Sequence, residues 1–451
     1  MTYSEAMQFW YSRVNYEQRS AQPGDLKLDR MLALLDLLGN PQRRLQVVHV
    51  AGSKGKGSTS AMLATILTRA GYRTGLFTSP HLVHVEERFQ VDGQPISPAE
   101  LVTLLDEVGV AVRNPQLADG LTFFEIATAV GFLHFVRRRV QVAVLEVGLG
   151  GRFDSTNVCQ PAVSIITSIS FDHTQQLGNT LAKIAWEKAG IVKPGRPVVS
   201  GVRLPEPREV IERVCRENHA PLAQLGVDFH YRHEAAVVDG GHQGANAPRS
   251  PTRVEITTKS RRWPKMELAL VGEHQAANAA LVVAAVEELR RTGLHIADEA
   301  VGQGLAEVQW PARLQVIRRE PLVVLDCAHN VASAQALVNA LATSYPLAPG
   351  GRRLLIFASS RDKDIQGILQ VLAPLFDHLF LTQFHNSTRF VAPQQLAELL
   401  PDSPRNAHTL CPDTTSAWHQ ALAMAQPTDL VCITGSLFLA GEFLLAIQKE
   451  K

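Results

Sequence analysis

Short apolar runs rich in β-branched residues alternate along the chain with longer stretches in which apolar residues recur every three or four positions. The first pattern is that of a strand buried on both faces, the second that of an amphipathic helix. Their alternation predicts parallel sheets flanked by helices in both halves, an α/β architecture. Residues 1–45 read as helices and turns, with an apolar stripe from Leu28 to Leu35 that stops at Gly39-Asn40-Pro41. Strands are predicted at Val47–Ala51, Thr74–Leu82 (ending in a turn), Gln141–Val147 and Val163–Ile169, and helices over 98–110 and 123–138. Residues 197–232 read as strand, helix, strand, and a helix runs from Gly272 to Leu289. The segment 233–252, rich in Gly, His, Asn and Pro, reads as a surface loop or hairpin excursion. Trp310-Pro311-Ala312-Arg313 marks a junction, after which the pattern restarts. Strands then fall at Val323–Asp326, Leu354–Phe357, His378–Thr382 and Leu430–Thr434, with a final helix from Leu437 to Ile447. A chain of 451 residues exceeds one ordinary core. The predicted domains are 1–308, a parallel-sheet phosphate-loop domain, and 313–451, a smaller Rossmann-like α/β domain.

The first buried run leads into Gly52-Ser53-Lys54-Gly55-Lys56-Gly57-Ser58-Thr59 and then a helical stretch. Strand, glycine-rich turn, lysine, hydroxyl and helix together form a phosphate cradle. Glycines let backbone N–H groups approach a polyphosphate, and the helix N-terminus adds partial positive charge. Lys56 supplies a full charge, and Ser58 or Thr59 a hydroxyl for a phosphate oxygen or Mg²⁺. The spacing departs from the general phosphate-loop pattern, because Gly57 separates the lysine from Ser58.

Other strand ends carry chemistry too. Thr78-Ser79-Pro80-His81-Leu82 forms the end of the second strand and its turn, and polar residues at that end are well placed for a ligand. Glu146 ends an otherwise apolar strand beside Gly148-Leu149-Gly150-Gly151; it is either a strand-end carboxylate reaching water or a metal ligand. A dinucleotide fingerprint is excluded there, since its third glycine position holds Phe153. Ser170-Phe171-Asp172-His173 follows the next strand. Lys188, near a helix C-terminus, reads by periodicity alone as a solvated, dipole-complementing residue. The turn Asp326-Cys327-Ala328-His329-Asn330 fits either a site or a plain helix N-cap.

The net charge of +1 argues against a partner bound through nucleic-acid phosphates. With no long apolar run and no signal-like start, the sequence predicts no membrane partner and a cytoplasmic location. The five scattered cysteines show no metal spacing and read as reduced core residues.

Taken together the motifs resemble those of the folylpolyglutamate synthase / dihydrofolate synthase family of the Mur ligase superfamily. The resemblance covers nearly the whole chain. It rests on His49–Ser58, Thr78–Leu82, Glu146–Asn157, Asp172-His173, Glu187–Gly195, Gly272–Ala279, Trp310–Leu314, Asp326–Asn330 and Thr434-Gly435-Ser436. It implies ATP-dependent addition of L-glutamate to a folate or dihydropteroate carboxylate through an acyl phosphate, with two Mg²⁺ ions, in a monomer. A related amide ligase acting on another carboxylate is the alternative. The resemblance assigns ATP contacts to residues 52–59 (Gly52, Ser53, Lys54, Gly55, Lys56, Gly57, Ser58, Thr59), Asn278, Arg313 and Asp326. It makes Ser79, Glu146, His173 and Lys188 metal ligands, the lysine as a carbamate. Lys56, Lys188, His173, Asp326 and His329 carry catalysis, and Thr122, Phe124 and Asp154 face the folate or pteroate ring. Three departures stand out: Ser53-Lys54 where many members have Thr-Asn, and Ala312 and Cys327 where glycine is common.

Overall fold

The computed structural model describes residues 1–17, 24–117, 120–238, 250–401 and 407–449. The loop segment Asp239–Gly244 singled out from the sequence lies outside them. Two compact units are present: Met1–Arg232 with Glu255–Met266 and Ala277–Val308, and His233–Val254 with Glu267–Ala276 and Gln309–Lys451.

The first unit is built on an eight-stranded sheet. Its strands are β1 (Gln46–Ala51), β2 (Thr74–Phe77), β3 (Phe89–Val91), β4 (Gln94–Pro95), β5 (Val142–Glu146), β6 (Pro161–Ile166), β7 (Val198–Ser200) and β8 (Leu222–Gln224). The order is β4-β3-β2-β5-β1-β6-β7-β8. From β2 to β8 all neighbours are parallel, whereas β3 and β4 run antiparallel at one edge. The central strands β1, β5 and β6, mostly Val, Ile, Leu and Ala with His49, Glu146 and Ser164 among them, are buried on both faces. The edge strands escaped sequence reading because they are too short to show a period.

Helices α1 (Tyr3–Tyr11), α2 (Asp29–Leu37), α3 (Lys56–Arg69), α4 (Pro98–Val112), α5 (Phe123–Arg137), α6 (Thr174–Leu177), α7 (Leu181–Lys188), α8 (Pro205–Glu217), α9 (Glu273–Arg291) and α10 (Asp298–Glu307) accompany it. α5 starts at a capping box made by Thr122 and Glu125, and its aromatic face enters the core. There Trp10 stacks on Phe123 at 4.7 Å and donates to the Phe123 carbonyl at 2.9 Å. Beside this stack the Arg88 guanidinium is 1% exposed and bonds both carboxylate oxygens of Glu17, at 2.7 and 2.6 Å. Glu17→Gln leaves that buried cation without its counter-charge. The expected cost is about 2 kcal/mol, below the usual figure for a fully buried pair because Glu17 is partly exposed; urea denaturation measures it.

A three-stranded sheet, order β11-β10-β9, is formed by β9 (Phe229–Glu234), β10 (Thr252–Thr258) and β11 (Met266–Leu268). The second unit carries a six-stranded sheet of β12 (Gln315–Arg319), β13 (Leu322–Leu325), β14 (Arg353–Phe357), β15 (His378–Leu381), β16 (His408–Leu410) and β17 (Leu430–Thr434). The order is β12-β13-β17-β14-β15-β16, parallel from β13 to β16, with β12 antiparallel at the edge. Helices α11 (Val331–Ser344), α12 (Ile365–Leu372), α13 (Pro393–Glu398), α14 (Thr414–Met424) and α15 (Leu437–Lys449) complete it.

Candidate active site

The sheet register gathers the site in the first unit. Val50 on β1 pairs with Glu146 on β5, and Ala51 pairs with Ile166 on β6. Three loops therefore leave neighbouring strand tips on one side: the glycine turn, the turn after Glu146, and the segment beginning at Thr167. That is the crevice where ligands bind in open α/β sheets.

The glycine turn is laced to the third of these loops. Ser53 N–H donates to the Ser168 carbonyl (2.8 Å) and Lys54 N–H to Ser168 Oγ (3.0 Å). The Thr167 hydroxyl donates to the Lys54 carbonyl (2.6 Å). Ser53 and Lys54, expected among the phosphate contacts, thus have their amides occupied. The Lys54 ammonium is likewise engaged, 2.5 Å from Asp172 Oδ2. The cradle is narrower than the sequence suggested. Gly55, with φ +82°, caps α3, and the Thr59 amide bonds its carbonyl (2.9 Å), closing the first helical turn. The amides of Lys56, Gly57 and Ser58 precede that turn and have no intrahelical acceptor, which leaves them available to an anion. The Thr59 side chain is fully buried rather than facing a ligand. Asn278 is brought to the turn: a Cβ on Gly55 would lie 2.4 Å from its Oδ1.

Lys56 stands at the centre of the charged groups. Its ammonium is 4.0 Å from Glu146 Oε1, and Glu146 Oε2 accepts the Ser79 amide at 3.2 Å. Lys188 is buried, not solvated as periodicity implied. Burial pushes its amine down to about 7, helped by the charges of Lys56 and Lys54 and opposed by Asp172 and Asp154. The same charges that line the glycine turn therefore act on Lys188. His173, in the left-handed region at φ +51°, has its Nε2 3.8 Å from Asp172 Oδ1. Among the described residues no three His, Cys, Asp or Glu side chains gather as a metal cage.

The ring-facing assignments fare differently. Asp154 Oδ2 accepts the amides of Gly148 (3.0 Å) and Leu149 (2.9 Å), and Oδ1 accepts from the amide and hydroxyl of Thr156 (3.0 and 2.5 Å). Its carboxylate braces the turn it was expected to look out from. Thr122 spends its hydroxyl capping α5. Phe124 lies over Gly148, where an added Cβ would come within 2.5 Å of its ring.

In the second unit Arg313 sits between Ala312 and Leu314, both left-handed at φ +54° and +51°. Ala312 thus adopts the conformation of the common glycine, whereas Cys327 does not need a positive φ. Arg313 donates to the Ala312 carbonyl at 3.0 Å and to Cys327 Sγ. Asp326 accepts the Leu314 amide (3.1 Å) and the Ala328 amide (2.8 Å), which fastens the arginine turn. Burial raises the Asp326 carboxyl while Arg313 lowers it. His329 Nδ1 donates to the Cys327 carbonyl (2.9 Å), so the neutral ring carries its lone pair on Nε2. Asn330 caps α11. The helix-cap reading of the motif is thus present in the structure.

Sequence reasoning missed the lacing residues Thr167 and Ser168 and the Lys54–Asp172 pair. Polar residues after β6 were the only signal, and nothing in a single sequence says which loop they bind.

The sequence matches the Mur ligase middle domain over residues 50–286 and the Mur ligase glutamate ligase domain over 312–437. It is 36% identical over 386 residues to the dihydrofolate synthase/folylpolyglutamate synthase of Bacillus subtilis, covering 85% of each chain. The fold matches Mycobacterium tuberculosis folylpolyglutamate synthase complexed with ADP, with TM-score 0.87, 32% identity, and 99% and 98% of the two chains covered. It also matches E. coli FolC in complex with DHPP and ADP, with TM-score 0.84, 29% identity, and 100% and 98% covered. Fold and matched domains define a Mur ligase. Within that class, the chain belongs to the folylpolyglutamate synthase / dihydrofolate synthase family.

Proposed function

We propose that this chain is an ATP-dependent ligase that joins L-glutamate to the carboxylate of a folate or dihydropteroate. The observation that carries the reading is the grouping of Lys56, Glu146 and the buried Lys188 around a helix N-terminus with three unspent amides. The named activities and ligands of the relatives support it. In the reaction an acceptor carboxylate oxygen takes the γ-phosphoryl group of ATP, giving an acyl phosphate and ADP. The glutamate amine attacks the acyl carbon, the amide forms, and a proton and phosphate leave.

The amides of residues 56–58 and the Lys56 ammonium hold the transferring phosphoryl group and spread its charge. Ser79 and Glu146 offer hard oxygen donors, the set magnesium takes when phosphates complete its shell. They fit one Mg²⁺, which when bound offsets phosphoryl and carboxylate charge. An ammonium cannot ligate a second ion beside His173. Lys188 meets that need as a carbamate, formed when its neutral amine adds CO₂ and releases a proton. Burial favours the neutral amine that adds CO₂, and the Lys56 and Lys54 cations offset the charge of the carbamate formed. Arg313, Asp326 and His329 are assigned to nucleotide and incoming glutamate.

Phosphate release that requires both glutamate and magnesium is expected with dihydropteroate, tetrahydrofolate or both, assayed side by side. Release only with a muramyl nucleotide transfers the assignment to a cell-wall ligase. Release with none of the three overturns the proposal.

A further inference from the structure

His49 lies in the middle of β1, fully buried, three residues before the glycine turn, and none of the roles above uses it. Its surroundings fix every hydrogen. Thr156 Oγ1 lies 2.5 Å from Asp154 Oδ1, and a carboxylate only accepts, so the threonine hydroxyl donates there. His49 Nε2 is 2.8 Å from the same Oγ1, which has no hydrogen left to give, so Nε2 carries a proton and donates it. Nδ1 is then the bare nitrogen of a neutral ring, and it faces Cys159 Sγ at 3.7 Å. Burial, with a smaller push from Lys193, holds the ring neutral down to about pH 3, so the arrangement does not switch in any working range.

The donors converge on Asp154: His49 gives to Thr156 and Thr156 to Oδ1, while the amides of Gly148 and Leu149, just past Glu146, give to Oδ2. That turn is mostly glycine; its far end is held by the Arg152 amide on the Glu187 carbonyl at 2.8 Å, and Asp154 holds the amides nearest Glu146. It also packs against the next functional group: a Cβ on Gly151 would lie 2.9 Å from the Glu187 and Lys188 carbonyls.

We propose that His49 is a positioning residue that sets the spacing between the glycine turn and the Glu146 and Lys188 side chains, acting through Thr156 and Asp154. The strand that delivers the phosphate cradle thereby also orients the carboxylate and the lysine opposite it. The inference rests on the proposed function for the roles of Glu146 and Lys188. The bonding chain itself does not depend on that reading.

The test compares His49→Leu, which removes the donor, with His49→Gln, whose amide reaches the Nε2 position and keeps it. Each is assayed for kcat and for KM of ATP and acceptor, and for hydrogen exchange of the Gly148 and Leu149 amides. In His49→Leu kcat is expected to fall about a hundredfold with KM for ATP within about threefold, because displacements of about an ångström cost that much. The two amides are expected to exchange at least about tenfold faster, the equivalent of about 1.4 kcal/mol, while β1 and β5 keep their protection. His49→Gln is expected to restore both readouts most of the way. If His49→Leu does not fold, Thr156→Val and Thr156→Ser replace the pair, the second keeping the hydroxyl. Unchanged exchange at 148–149 in the donor-deleting variant overturns the proposal, as does a glutamine or serine variant no better than the deletion. Should the wild type lack ligase activity, the proposed function fails, and the exchange measurement still decides whether the chain holds the turn.

Discussion

Lys188→Met is expected to lower turnover by about three orders of magnitude, roughly 4 kcal/mol of barrier, while raising the melting temperature. The two effects share one cause. The lysine is buried where desolvation, and then Lys56 and Lys54, disfavour its ammonium, a perturbation of the kind that clusters at functional sites. Methionine fills a similar volume without the charge. The pH dependence follows from proton counting. The amine titrates near its ordinary 10.5 in the unfolded chain and at about 7 in the fold. Between those values the unfolded chain binds more protons, so the wild type gains stability as pH rises through the window. Below the lower value the full cost of a buried charge is present. Scanning calorimetry without magnesium or bicarbonate should therefore show methionine's advantage largest near pH 6 and shrinking toward pH 9. Adding short carboxylates to Lys188→Ala should restore part of the activity. Full activity in either variant removes lysine from the mechanism.

Gly52→Ala is expected to cost about 3 kcal/mol and to weaken ADP binding at least about tenfold. The residue has φ +151°, and a Cβ there would lie 1.9 Å from Thr167 Oγ1 and 3.1 Å from the Ser168 amide. Neither neighbour is free to retreat, since Thr167 and Ser168 both bond Lys54. Pushing them aside unlaces the turn from the loop after β6 and spoils the aim of the helix amides. Thermal unfolding with and without ADP measures both losses. Thr167→Ala in the same chain removes the oxygen in the way, so the double variant should lose less than the two singles summed.

How far the sequence carried the reading depended on the kind of information needed. Buried parallel strands announce themselves, because both faces require apolar residues, and β1, β5, β6 and β17 were all located. The edge strands β3, β4 and β12 have no such requirement, and the sequence reading made no assignment for them. The glycine turn was legible as a phosphate cradle, but which of its amides stay available was not. That is settled by Ser168, more than a hundred residues away in sequence. Lys188 read as a surface residue because periodicity reports a face of a helix, not what covers it. Asp154 was a candidate for the folate or pteroate ring because a carboxylate can accept N–H bonds from its aminopyrimidine edge, whereas its two oxygens accept from local amides and Thr156.

The Lys54–Asp172 pair has a bearing on the end of the catalytic cycle. Spent nucleotide and inorganic phosphate have to depart before another round begins. Two uncompensated ammonium groups in the turn would each attract the leaving anions, by about 1 kcal/mol at 4 Å in water and several times that in a drier cleft. Asp172 stands 2.5 Å from one of them and Glu146 4.0 Å from the other, so neither ammonium acts with its full charge. If residues 52–58 hold those products, as proposed, this screening leaves the turn able to let go.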